Sequence, residues 1–320
     1  MKRLFALTLA LLVGGASYAQ GKLTSFPVNP VKINVGFAAG GGTDLLARHY
    51  AKRLGEKLGQ PFLVDNKPGK GGAIAVYATA HAPANGYTIV LGTTGIAVDA
   101  ALGESSYDWQ RDLAPIALLA AAPNVLVVPE KSPIRTVADV IRKAKQTHVT
   151  FGSAGVTSSM HMTGELFKQM AGVEMTHVPY RGAAPAEQAL MAGEIDVMFD
   201  NIAGAATFIE AGKFRPIAIS SSSRSAELPN VPTIAESGLP GFETTGSFFL
   251  MAPAKTPPEV LKLLEVAVDE ISDEQDTQAF LKRMHMVSLR GGATAVSTLL
   301  QSDYAKWKRV VSAKGFEIDR

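Results

Sequence analysis

The sequence predicts an α/β protein built from repeated strand–helix units. Short apolar runs alternate with segments whose apolar residues recur every three or four positions, a pattern typical of parallel strands joined by helices. One such strand, loop and helix unit begins at Val31 and a second begins at Val149. The chain has 320 residues, and at roughly 100 to 200 residues per domain this length predicts about two domains with a cleft between them.

The first unit runs from a strand at 31–37 through three glycines at 40–42 into a helix. The apolar residues on one face of that helix are Leu46, Tyr50, Leu54 and Leu58. Further apolar runs predict strands at 62–66, 87–93, 125–129, 149–153, 175–180, 195–201, 215–220 and 248–252. Helices are predicted from Gly72, Thr136 and Ser158, around 186–191 and 205–211, and in two C-terminal segments that follow Pro257 and contain Trp307.

The first 19 residues predict a secretory signal peptide and a periplasmic mature protein. Lys2 and Arg3 precede an apolar run at 4–13, and small residues lead up to Ala19, after which we expect cleavage. Removing these residues lowers the number of basic residues from 31 to 29, equal to the 29 acidic residues. A neutral mature protein gives no support for binding to nucleic acid or to an anionic membrane.

The residue types also limit the chemistry. The chain has no Cys, which excludes disulfides, thiolate metal sites and a thiol nucleophile. His161 and Glu165 lie four residues apart on one predicted helix. No second ligand pair has matching spacing, so the expectation is an exposed polar helix face, with no metal and no cofactor.

Two turns that lead from a strand into a helix are candidate binding loops, at 40–44 and 153–159. The unpaired N–H groups and the dipole of a first helical turn favour an anion. A structural interpretation is equally open: the glycines make a tight turn that Asp44 caps, and the hydroxyls of the second loop cap the helix carrying His161. Neither loop has the spacing of a nucleotide-binding motif or of a hydrolase nucleophile elbow.

Eight segments, in chain order, carry a family resemblance: FAAGGGTDLLAR, DNKPGKGG, PANGYTIVLGT, SAGVTSSMHMTGELFKQMAG, HVPYRGAAPA, LMAGEIDVMFDN, LPNVPTIAESGLPGFE and MAPAKTPPEV. They resemble the extracytoplasmic solute-binding proteins of tripartite tricarboxylate transporters, the Bug family. The resemblance runs from about Pro27 to the C-terminus.

The resemblance implies a type II periplasmic binding-protein fold, in which two Rossmann-like α/β lobes joined by two crossovers close on a small organic carboxylate. Residues 27–122 and 246–320 are expected to form lobe 1, and residues 123–245 lobe 2. The implied protein is a monomer and not an enzyme. It delivers an aliphatic or aromatic mono- or dicarboxylate to the membrane subunits of a tripartite tricarboxylate-type transporter.

In such proteins the carboxylate lies between the first Gly-rich loop and the Ser/Gly loop of the other lobe, held by N–H groups, hydroxyls and bridging waters. Carried over by position, the implied ligand-binding residues are Phe37, Ala39, Gly40, Gly41, Gly42, Thr43, Asp44, Thr93, Thr94, Ser153, Ala154, Gly155, Thr157, Ser158, Asp200, Asn201 and Phe248.

The chain departs from the family pattern at four positions. Gly36 and Ala39 stand where prolines are common, Lys255 replaces a common glycine, and Phe248 stands where Trp is common. Phe248 either shapes the cleft wall or packs as a crossover residue. If Phe37 or Phe248 lines the cleft, the ligand body is expected to be flat or apolar. Because strand residues alternate faces, Phe248 and Phe249 cannot both face the cleft.

Three functions are compatible with this fold. A binding protein needs convergent donors and a closing cleft, and the two candidate loops supply such donors. An enzyme needs an activated nucleophile or an acid–base pair, which the residues do not supply. A ligand-sensing subunit for a membrane sensor kinase would present the same cleft, so the sequence favours binding and leaves delivery and sensing open.

Overall fold

The computed structural model describes residues 26–103, 105–226 and 228–312, and the predicted signal peptide lies outside these ranges. The strands in these ranges are β1 (Val31–Val35), β2 (Phe62–Asn66), β3 (Thr88–Thr93), β4 (Leu113–Pro129), β5 (Thr150–Ser153), β6 (Thr176–Pro179), β7 (Val197–Asn201), β8 (Phe214–Ile219), β9 (Thr245–Pro253) and β10 (Val287–Ser288).

Helices connect most of these strands. They are α1 (Gly42–Leu58), α2 (Ala73–Ala80), α3 (Gly95–Leu102), α4 (Trp109–Asp112), α5 (Val137–Gln146), α6 (Ser159–Ala171), α7 (Ala183–Ala192), α8 (Ile202–Glu210), α9 (Pro258–Asp273), α10 (Gln275–Arg283) and α11 (Ala293–Val311). A 3-10 turn, Lys70–Gly72, precedes α2. In the described part of the chain, no helix combines the length and the apolar character needed to cross a membrane.

The strand order β2-β1-β3-β9-β4-β7-β5-β6 divides the sheet into two halves around one long strand. In the first half β1 is parallel to β2 and β3, and in the second half β5 is parallel to β6 and β7. The strand β4 belongs to both halves, because it pairs with β9 up to Pro123 and with β7 from Asn124 onward. The carboxyl ends of β1 and β5 therefore lead into helices on either side of the same junction.

The predicted first unit is confirmed. The helix α1 buries Leu46, Tyr50 and Leu54 completely against the first half of the sheet. The second unit is confirmed as well, since β5 leads into α6, whose N-cap is Ser158 and whose C-cap is Gly172 in the left-handed conformation. These two units position the two candidate loops.

The prediction of a short strand at 125–129 is wrong in extent, because β4 begins at Leu113. The segment 113–124 shows no alternation of apolar and polar residues, since most of it is buried between helices on both faces. The helices α3 and α10 were not predicted either. The helix α3 is short and almost entirely apolar, so it has little periodicity to detect. The helix α10 has only nine residues and follows α9 after a single residue, so the sequence does not separate the two.

Candidate functional site

A narrow cavity of about 30 Å³ lies at the junction of the two halves. Its walls come from the ends of β1, β3 and β9, from the loop after β5, and from four helix starts. The lining residues are Phe37, Gly41, Gly42, Thr43, Thr93, Ala154, Ser158, Ser159, Met160, Ala183, Asn201, Gly246, Ser247 and Phe248.

Four helices begin at this cavity. Gly41 is the N-cap of α1 and Ser158 is the N-cap of α6. Ala183 is the first residue of α7, and Asn201 is the N-cap of α8. First-turn N–H groups have no acceptor within their own helix. Each helix start carries about half a positive charge, so the four together present roughly two.

No Lys, Arg, Asp or Glu is among the lining residues that the structure describes. Positive potential in the cavity therefore comes from backbone dipoles and hydroxyl groups rather than from a cationic side chain. Helix starts and hydroxyls bind anions through N–H and O–H donors. This donor set is suited to a carboxylate, and its total charge matches a dianion.

The glycines at the start of α1 allow three helix starts to converge. A Cβ atom at Gly42 would lie 3.0 Å from Ala203 Cβ and 3.4 Å from Asn201 Oδ1. A Cβ atom at Gly41 would lie 3.4 Å from Ala183 Cβ. Larger residues at these positions would push α1 away from α7 and α8, so the glycines serve close approach of backbones.

The buried Asp44 carboxylate stabilises the loop 40–44 through hydrogen bonds. Its hydrogen-bond donors are Gly40 N–H at 3.0 Å, Arg48 Nε at 2.8 Å and Asn66 Nδ2 at 2.9 Å. Burial would raise the pKa of Asp44, but these hydrogen bonds and the Arg48 charge outweigh it and hold the pKa below its ordinary value. Asp44 is 2% exposed and is absent from the cavity wall.

Both interpretations of Ser158 apply at once. Its Oγ accepts a hydrogen bond from His161 N–H at 3.3 Å, so it caps α6. Ser158 also lines the cavity beside Ser159 and Met160. A hydroxyl oxygen that accepts from the helix still has its proton to donate, so Ser158 can cap the helix and bind an anion together.

The expectation that His161 and Glu165 lie on an exposed helix face is wrong. His161 is 0% exposed and Glu165 is 2% exposed. The face that carries them packs against the strands of the second half, where His161 stacks on His177 with ring centroids 3.8 Å apart. Among the described residues, no group of three or more His, Asp or Glu is placed to hold a metal ion.

Asp200 and Asn201 point to opposite sides of β7. Asn201 lines the cavity, and its Oδ1 accepts from Ala203 N–H at 3.2 Å. Asp200 is 0% exposed and faces Glu187 across Gly204: a Cβ atom at Gly204 would lie 2.6 Å from Glu187 Oε1 and 3.6 Å from Asp200 Oδ1. Burial, reinforced by the Glu187 charge, raises the pKa of Asp200 well above its ordinary value.

The three phenylalanines divide as strand alternation requires. Phe37 and Phe248 line the cavity, where they are 8% and 3% exposed. Phe249 is fully buried in the core of the first half, and its ring occupies the space above Gly92. The cavity thus combines polar helix starts with two aromatic walls.

The two halves touch directly at the edge of the cavity. Ala38 N–H donates to Arg181 O at 2.9 Å, which joins the first loop to the segment before α7. Gly71, in the 3-10 turn, lies against Val156: a Cβ atom there would be 2.0 Å from Val156 O. These contacts join the two halves beside the two candidate loops.

The structure brings nine of the predicted site residues into the cavity wall and leaves the other eight outside it. Those in the wall are Phe37, Gly41, Gly42, Thr43, Thr93, Ala154, Ser158, Asn201 and Phe248. Those outside it are Ala39, Gly40, Asp44, Thr94, Ser153, Gly155, Thr157 and Asp200, of which Ala39 and Gly40 are exposed to solvent.

Five lining residues were missed: Ser159, Met160, Ala183, Gly246 and Ser247. Ser159 and Met160 follow a predicted helix cap, so their N–H groups were detectable as first-turn donors. Gly246 and Ser247 enter because β9 crosses the junction, where Ser247 N–H donates to Thr94 Oγ1 at 3.0 Å. That strand pairing has no local signal in the sequence.

Two α/β halves that share one long strand and meet at a cavity define the two-lobed periplasmic binding proteins, the fold class predicted from the sequence. The structure of the periplasmic binding protein BugD superposes with a TM-score of 0.88 at 28% identity, covering 91% of this chain and 99% of that chain.

Within this class, the chain belongs to the family described as "Tripartite tricarboxylate transporter family receptor", whose family model matches residues 46–316. The resemblance found in the sequence is thereby confirmed. R. palustris Rpa4515, solved with adipate, is 36% identical with a TM-score of 0.86, covering 89% of this chain and 97% of that chain. MatC (Rpa3494) from Rhodopseudomonas palustris, solved with bound malate, is 32% identical with a TM-score of 0.86, covering 90% of this chain and 100% of that chain.

Proposed function

We propose that this protein captures a small dicarboxylate in the periplasm and delivers it to the membrane subunits of a tripartite tricarboxylate-type transporter. The observation that carries the proposal is the convergence of four helix starts on a cavity whose described lining has no charged side chain. Their combined charge of roughly two balances two carboxylates. Relatives solved with adipate and with malate support the same ligand class.

The two aromatic walls favour a ligand whose body between the carboxylates is apolar. Phe37 and Phe248 offer no hydrogen-bond partner to a polar substituent, and burying such a group without a partner is unfavourable. Short aliphatic diacids and flat aromatic diacids meet this requirement. Citrate, with an extra hydroxyl and a third carboxylate, does not.

An amino acid is a poorer ligand, because the described lining has no carboxylate to receive an ammonium group. The acidic side chain of a neighbouring cavity is Asp99, and that cavity shares Phe37 and Thr93 with the binding cavity. Asp99 already accepts a hydrogen bond from the Tyr107 hydroxyl at 3.3 Å. The ammonium group of an amino acid would therefore have to extend past Phe37 to pair with the Asp99 carboxylate.

The cleft is proposed to close by rotation of two lobes, 27–122 with 246–320 and 123–245. The change of pairing partner along β4 between Pro123 and Asn124 supports the first boundary, and Thr245 opposite Pro123 supports the second. The protein is proposed to act as a monomer and without catalysis. Its relatives described above are binding proteins.

A thermal-shift panel tests the ligand class, with citrate, glutamate, succinate, adipate, benzoate and terephthalate as probes and product formation followed in parallel. A ligand at a hundred times its Kd stabilises the folded state by about 2.7 kcal/mol, which gives a clear rise in Tm. We expect stabilisation by the diacids, a weaker response to benzoate and no turnover. A response to glutamate or citrate alone, or conversion of a diacid to product, contradicts the proposal.

A further inference from the structure

Two stacked imidazoles lie beneath the loop 153–158, outside the cavity wall. The rings of His161 and His177 are nearly parallel, 19° apart, and both are buried. His177 Nε2 lies 2.6 Å from Ser153 Oγ, at the start of the loop. His161 Nδ1 accepts from Thr157 N–H at 3.1 Å, at its end. Each histidine thus holds one end of the loop.

Thr157 is the strained point of this loop. Its φ is 68°, in the left-handed region that residues other than glycine seldom occupy. A residue remains there only where its surroundings fix it. Thr157 is 5% exposed, so water has little access to its N–H group, and His161 supplies the acceptor. Because Ser158 follows directly, the conformation of Thr157 sets the direction in which Ser158 enters the cavity.

The hydrogen bond also defines the state of the His161 ring. Since Nδ1 accepts, the proton of the neutral ring is on Nε2, which faces Glu165 Oε1 at 3.5 Å. Glu165 is in turn paired with Lys168 at 3.1 Å. With His177 on β6, these are the titratable groups that the structure places around the ring. The stack on His177 holds the ring in the plane that aims Nδ1 at Thr157.

We propose that His161 is a positioning residue for ligand binding: its Nδ1 atom holds Thr157 in the left-handed conformation and thereby presents Ser158 and the first turn of α6 to the ligand. The inference rests on the proposed function, because it assumes that this loop binds the carboxylate. His161 itself does not touch the ligand. Without the acceptor, Thr157 relaxes in the unliganded protein, and binding must restore the strained conformation.

Two substitutions of similar shape separate the acceptor from simple packing. His161→Asn places Oδ1 near the position of Nδ1 and retains an acceptor, whereas His161→Leu has the same branching and none. His148→Leu makes the same change at an exposed histidine that bonds Thr176. Amide hydrogen exchange at Thr157, measured without ligand, is expected to be slow in the wild type, His161→Asn and His148→Leu, and fast in His161→Leu.

Calorimetry with adipate gives the second measurement. We expect a ten- to hundredfold loss of affinity in His161→Leu, from the unpaired buried donor, and a change of less than about threefold in His161→Asn. Equal losses in both variants, or unchanged Thr157 exchange in His161→Leu, overturn the positioning role. If Thr157 exchange follows the expected pattern across the variants but the wild type binds no adipate, the result counts against the proposed ligand class and not against the positioning role.

Discussion

Replacing Gly71 by Ala tests whether the contact between the two halves is required for binding. With the two halves as the structure places them, a Cβ atom at Gly71 would lie 2.0 Å from Val156 O and 2.5 Å from Thr157 Oγ1. Ordinary van der Waals contact begins at 3.4 Å. The two halves would therefore have to separate by about 1.4 Å to accept the methyl group. A backbone oxygen cannot turn aside as a flexible side chain can.

A separation of this size would lengthen the proposed hydrogen bonds between the second half and a carboxylate, ordinarily about 2.9 Å, to more than about 4 Å. Each charge-assisted hydrogen bond contributes about 1.5 to 3 kcal/mol, so losing two lowers affinity by about 3 to 6 kcal/mol, or more than a hundredfold. Gly71 also has a φ of 57°, so Ala carries a conformational penalty of about 1 to 2 kcal/mol in any state.

Gly59→Ala is the matched control. Gly59 has a φ of 72° and nothing within 4 Å of its Cβ position, so it has the same kind of penalty without the clash. We expect similar losses of Tm for the two unliganded variants. Calorimetry with adipate is expected to show wild-type affinity for Gly59→Ala and more than a hundredfold loss for Gly71→Ala. Equal affinities would refute the reasoning, because binding would then not need this contact.

Three further predictions concern single residues. Ser158→Ala removes a helix cap and a cavity donor, so calorimetry should show a ten- to hundredfold loss of affinity with only about 1 kcal/mol of lost stability; equal effects on both would indicate a cap alone. Phe248→Leu should change the ranking of diacids in the thermal-shift panel, whereas Phe249→Leu, in the core, should lower Tm and leave the ranking unchanged. Burial beside Glu187 raises the pKa of Asp200, so the folded state binds the Asp200 proton more tightly than the unfolded state does. The free energy of unfolding therefore falls as pH rises above about 4, by at most about 1.4 kcal/mol per pH unit. Asp200→Asn should lack this pH dependence and should be more stable than the wild type at pH 8. Identical profiles of Tm against pH for the two proteins, from pH 4 to 8, would disprove the prediction.

The sequence predicts the helix starts because their signals are local. Ser158 before an apolar helical stripe indicates an N-cap, and the structure shows that cap. The three glycines at 40–42 indicate close backbone approach, which the structure places between α1 and the starts of α7 and α8. Local chemistry thus identified two of the four helix starts that meet at the cavity.

The remaining features depend on long-range packing. Asp200 and Asn201 are adjacent and face opposite sides of β7, but only the packing of the two halves decides which side meets the cavity. The burial of His161 follows from the stack on His177, sixteen residues away along the chain. Gly36, where the family pattern has proline, lies against Gly72: a Cβ atom there would be 2.3 Å from Gly72 Cα. Neither the histidine stack nor the contact of Gly36 with Gly72 has a periodic or capping signal.

A crystal structure of the complex tests the central claim, that backbone helix starts rather than cationic side chains hold a dicarboxylate. The protein should be crystallised with whichever diacid of the panel raises Tm most. The account predicts carboxylate oxygens within about 3 Å of the first-turn N–H groups of α1 and α6 and of the Ser158 hydroxyl, with the ligand body against Phe37 and Phe248. A ligand whose carboxylates pair with Arg or Lys, or that lies outside this cavity, would contradict it.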